Sequence, residues 1–151
     1  MPLLFVFLLA GALWAEEPFA GTWKLNLAKS KYPPGMAPKD VTVVIKEIGG
    51  GQVEQTVSGT DAAGKPISVK ETVNQTGGVW KFQQGGPPAG ILAVAVKIDP
   101  REAINATYVS EKQVEFSRST VSKDGKSITT AAKGIDPQGK PFESVAVLEK
   151  Q

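Results

Sequence analysis

From Val41 onward, apolar and polar residues alternate with a period of two. Val41, Val43 and Ile45 are interleaved with Thr42, Val44 and Lys46, and Val53, Gln55 and Val57 with Glu54, Thr56 and Ser58. Successive side chains of a strand point to opposite faces, so this pattern predicts strands with one face buried and one wet. Gly49-Gly50-Gly51 joins the two runs. Ile67, Val69, Glu71 and Val73 then share one face, and Gly77-Gly78 turns the chain into Val79-Trp80-Lys81-Phe82. Leu92, Val94, Val96 and Ile98 resume the alternation, followed by Ile104, Ala106 and Tyr108, then Val114-Glu115-Phe116. Asp124-Gly125 is the strongest short hairpin signal in the chain; Ile128 to Lys133 pairs back from it, and Phe142 to Glu149 forms the last strand.

Short strands at close spacing, with turn residues between them, predict an all-β antiparallel barrel or sandwich of about eight to ten strands. Two segments interrupt the pattern. Residues 29–39 carry three prolines and a glycine, and residues 83–90 carry three glycines and two prolines, which excludes helix and central strand from both. Long irregular segments on a rigid scaffold often contact ligands, so Tyr32 and Met36 in the first are candidate ligand-contacting residues, set against a plain solvated connector. One internal echo relates two turns: Asp61-Ala62-Ala63-Gly64-Lys65-Pro66 and Asp136-Pro137-Gln138-Gly139-Lys140-Pro141. The expected content is a shared turn, with Asp bonding nearby backbone and Gly taking a positive φ. A calcium loop needs six or more oxygens, and each copy offers one carboxylate.

Residues 1–15 carry no charge and are dominated by Leu, Phe, Val and Ala before Glu16-Glu17. The run is shorter than the ~20 residues that span a bilayer and reads as a secretory signal peptide, cut after Ala15 or after Ala12. Residues 16–151 are then one barrel domain, secreted or periplasmic. Cysteine is absent, which removes disulfides, thiolate chemistry and a lipid-accepting residue after the leader, so no membrane anchor is expected once the leader is cut. Histidine is absent too, which removes Ser-His-Asp catalysis and the commonest zinc ligand. Glu54, Glu71 and Glu115 fall in strands, where a carboxylate usually faces water, so no catalytic residue, metal or cofactor is expected. The net charge of +2 is spread as Lys interleaved with Glu and Asp, without the clustered Arg and stacking aromatics of a nucleic-acid surface.

Phe19-Ala20-Gly21-Thr22-Trp23-Lys24-Leu25 combines a glycine that permits close backbone approach with an indole large enough to close a small barrel. The stretch resembles the Gly-x-Trp signature on the first strand of the calycin superfamily, which includes lipocalins, fatty-acid-binding proteins and avidins. The resemblance implies an up-and-down, lipocalin-like barrel whose first and last strands pair, with a basic side chain near the chain end packed over Trp23. Lys150 is the favoured candidate for that residue and Arg118 the competing one, so Gly21, Trp23 and Lys150 would close the barrel. A barrel of this size can hold one small ligand, and the mid-strand aromatics Trp80, Phe82 and Phe116 are candidate lining residues unless they simply fill the core. The expected function is to bind or carry a small, mostly apolar molecule. The alternative is a structural or protein-interaction module with a filled barrel.

Overall fold

The computed structural model describes residues 17–86 and 89–151; the leader expected over residues 1–15 lies outside the described residues. Among the described residues, eleven strands form one antiparallel sheet: β1 (Gly21–Leu25), β2 (Asp40–Gly49), β3 (Gln52–Thr60), β4 (Pro66–Asn74), β5 (Gly78–Val79), β6 (Lys81–Gln84), β7 (Ile91–Asp99), β8 (Glu102–Val109), β9 (Lys112–Val121), β10 (Ser127–Ile135) and β11 (Pro141–Lys150). A 3₁₀ turn, Leu27–Lys29, follows β1. The sheet order runs β5-β7-β8-β9-β10-β11-β1-β2-β3-β4-β6. Its two edges, β5 and β6, are one chain segment interrupted at Trp80, with β6 pairing to β4 and β5 to β7. The sheet therefore curls into a nearly closed barrel. The strand count exceeds the expected eight to ten because the single segment 78–84 changes partner at Trp80 and so counts twice.

First and last strands pair as the resemblance implied, with Trp23 opposite Lys150 and Leu25 opposite Leu148. Because neighbours are antiparallel and consecutive, the connections alternate between two ends. The lower end gathers Phe19, the turns near residues 50, 76, 100 and 124, and Lys150. The upper end gathers the connections 26–39, 61–65, 110–111 and 136–140 and the described residues 85, 86, 89 and 90, so the described parts of both long irregular segments lie at one rim.

The echoed turns are built alike. Asp61 Oδ1 accepts the Lys65 N–H at 2.8 Å, and Asp136 Oδ1 accepts those of Gln138 and Lys140 at 2.9 and 2.8 Å. Each carboxylate is thus committed to its own turn.

The core gathers at the lower end, where Phe19, Trp23, Ile45, Val53, Val73, Ala95, Val121 and Ile128 are buried. Alternation places Val43, Ile45, Val53 and Val73 inside. In β7 the larger apolar residues go the other way: Leu92 and Ile98 are each 49% exposed while Ala95 is buried. Ala93 and Ala95 line the cavity from the middle of this strand, and their small side chains leave space in front of them.

Candidate functional site

The floor is assembled by the N-terminal segment. Trp23 is fully buried, and its Nε1 donates to the Phe19 carbonyl at 2.8 Å. Lys150 lies over the same ring, Nζ 5.2 Å from the centroid. Gly21, at φ 139°, passes beneath that side chain, and a Cβ there would stand 2.8 Å from Lys150 Cε. Glu17 reaches up to Lys97 of β7 in an ion pair whose two side chains are largely buried. Arg118, the competing candidate, sits on the exposed face of β9 and pairs with Glu102.

Above this floor is a cavity of about 370 Å³. One side of its wall is mostly apolar, made by Phe19, Trp23, Val43, Ile45, Val53 and Val73, with Ile128 and Leu148 beside them and Gln55 and Gln75 as its polar members. The opposite side, from β8, β9 and β10, is polar: Asn105, Thr107, Glu115, Ser117, Ser119 and Thr130. Several of these satisfy one another. Asn105 Nδ2 donates to Ser117 Oγ at 3.3 Å, and Ser119 Oγ lies 2.8 Å from Thr130 Oγ1.

Two glutamates face inward and one does not. Glu71 is 2% exposed and accepts from Gln55 Nε2 at 2.7 Å. Burial pushes its carboxyl up to about 7, the Gln55 hydrogen bond only partly opposing this. Glu115 lines the cavity, and burial raises its carboxyl as well. Glu54 points outward and pairs with Lys70 at 3.1 Å.

Of the aromatics expected inside, Trp80 lines the cavity, and its Nε1 is buried with no hydrogen-bond partner. Phe82 packs on Trp80, ring centroids 6.3 Å apart, and pairs in register with the buried Glu71, but it is not one of the cavity-lining residues. Phe116 is a correction: it is 43% exposed on the outer face of β9, because Glu115 and Ser117 take the inward positions on either side of it. Tyr32 and Met36 lie in the upper-end loop and not in the cavity wall. Tyr32 is half-buried with its hydroxyl pKa raised by that burial, and Met36 is 37% exposed. The small and polar lining of β7 to β10 escaped the sequence reading, which followed large apolar residues. The signal that marks it is the alternation of Ala93, Ala95 and Lys97, and of Ser117, Ser119 and Val121.

Comparison with solved structures places this architecture. The chain superposes on the fluorescent protein UnaG with a TM-score of 0.62, at 13% identity, over 89% of this chain and 98% of that one. It matches Rv2717c from M. tuberculosis with a TM-score of 0.55, at 16% identity, over 89% and 93%. The likeness is one of fold, and the fold is a calycin-like barrel. No protein-family model matches the sequence, and no curated protein does.

Proposed function

We propose that this protein is an exported, lipocalin-like carrier that binds a small, mostly apolar molecule inside the barrel. One observation carries the reading: the strands enclose about 370 Å³ of space lined on one side by aromatic and branched aliphatic side chains. Ligand pockets typically begin near 300 Å³ and combine an apolar wall with a few placed polar groups, whereas a filled barrel has no such volume. The inward alanines of β7 support it further, since larger residues are carried by the same strand on its outer face. The reading is of a binding protein and not an enzyme. Export rests on the uncharged apolar run of residues 1–15, and N-terminal sequencing of protein recovered outside the cytoplasm should begin at Glu16 or Leu13.

Native mass spectrometry of the purified protein tests the binding role, with titration of the neutral dye Nile red as a second measure. A copurified small molecule, or saturable dye fluorescence competed by an apolar compound, supports the carrier. Dye excluded from a folded barrel that carries nothing returns the reading to a structural module.

A further inference from the structure

We propose that the cavity selects a basic amphiphile, a molecule whose apolar body lies along Trp23, Ile45 and Val53 and whose protonated amine hydrogen-bonds to Glu115. This rests on the carrier reading and names the chemical class of its ligand.

The cavity wall holds two charged side chains, Lys97 and Glu115. Lys97 is spent: the Glu17 carboxylate lies 2.5 Å from its Nζ. Glu115 has neither an ion-pair nor a hydrogen-bond partner among the described residues. Its position on β9 explains why. Glu115 stands opposite Thr107 on one side and Gly134 on the other, and the inward positions nearby, Asn105, Ser117 and Ser119, are neutral.

A carboxylate withdrawn from bulk water without a partner is costly to the folded chain, and a ligand that supplies the missing donor recovers that cost. An ammonium group supplies both charge and donors. An anionic head group meets the reverse situation, because the cation it would need is already paired and the free charge it meets has its own sign. The polar strip on β8 to β10 then offers hydroxyl and amide oxygens to the remaining N–H groups, while the opposite wall, apolar apart from Gln55 and Gln75, takes the hydrocarbon.

The test is displacement of Nile red from the purified protein at neutral pH by decylamine, decanol and decanoate, which share one chain and differ in head group. The expected order is decylamine about tenfold tighter than decanol, as a charge-assisted hydrogen bond gives, with decanoate weakest. Glu115→Gln should erase the amine advantage and leave decanol unchanged; Glu54→Gln, on the outer face, should change neither. Decanoate binding as well as decylamine overturns the proposal on the native protein alone, whether or not the variant folds. An amine advantage that survives in Glu115→Gln also overturns it. If decanol binds but the amine gains nothing, the proposal fails and the carrier reading stands; if dye and all three compounds are excluded, both fall together.

Discussion

Lys150 packs over the indole of Trp23, its register partner, while the Phe19 carbonyl accepts the indole N–H. Residues at the two ends of the domain are thereby fastened to one ring, and Gly21 is held to hydrogen at Cα by the lysine stem above it. Removing the ring should be the most damaging single change at the floor. Trp23→Ala is expected to cost about 3–5 kcal/mol in denaturant unfolding, and Lys150→Ala about 0.5–1 kcal/mol because the ammonium is exposed. A double-mutant cycle should show coupling between Trp23 and Lys150 and none between Trp23 and Arg118.

Gly21→Ala should destabilise by more than 1 kcal/mol, from a positive φ and a clash together. Adding Lys150→Ala relieves only the clash. The double variant should therefore recover part of the loss, and full recovery would show that φ contributes nothing.

Glu71 makes stability depend on pH in an unusual direction. Its folded-state pKa, about 7, lies above the ordinary value of 4.5, so between those values the native state holds a proton that the unfolded chain has lost. Stability therefore falls as pH rises through this window, is unaffected by Glu71 below it, and carries the full penalty above it. Glu71→Gln keeps an acceptor for Gln55 and removes the penalty. The variant should be more stable than the parent by on the order of 2 kcal/mol at pH 8 and nearly equal to it at pH 4, measured by urea unfolding at both.

Filling the cavity should separate folding from binding. Ala95 is buried in its wall, and Ala95→Leu places extra methyl groups into empty space, so unfolding should show unchanged or slightly raised stability, by up to about 1 kcal/mol. Nile red affinity should drop about tenfold or more. A variant that binds the dye normally would place the dye outside the cavity.

Residues 26–39 and the described residues 85, 86, 89 and 90 lie at the same rim, opposite the plugged floor. Amide exchange in both should slow when Nile red is bound, if they border the entrance. Exchange unchanged in both loops would leave them as connectors.

Much of the architecture was legible because the barrel imposes a period of two on β2, β3 and β4, and most of the residues that face inward from them, Val43, Ile45, Val53 and Val73, are apolar, with Gln55 and Glu71 as exceptions. The pairing of Trp23 with Lys150 was legible from a local signature and the chain end. The cavity was harder to read. A binding space is made by what is missing, and Ala93 and Ala95 announce a gap only when set against Leu92 and Ile98 on the far face. Phe116 misled for the same reason: a large aromatic suggests interior, but Ser117 and Glu115 hold the inward positions beside it. The strand count missed because Trp80 divides one run between two partners, which no residue pattern signals.

That division has a further consequence. Segment 78–84 is paired to the β4 backbone only from Lys70 to Thr72, with side-chain bonds from Gln83 to Thr72 and from Gln84 to Ser68, and to β7 only by Gly78, Val79 and the Trp80 N–H, whereas β3 and β4 pair along their whole length. The wall is thinnest in hydrogen bonds where its edges meet. A brief parting there would turn the cylinder into a ribbon with two raw edges, one of them bearing the exposed Leu92 and Ile98. Such edges invite a strand from a neighbouring molecule, so at high concentration or mild heating the protein should form exchanged-strand oligomers whose shared segment is 78–84.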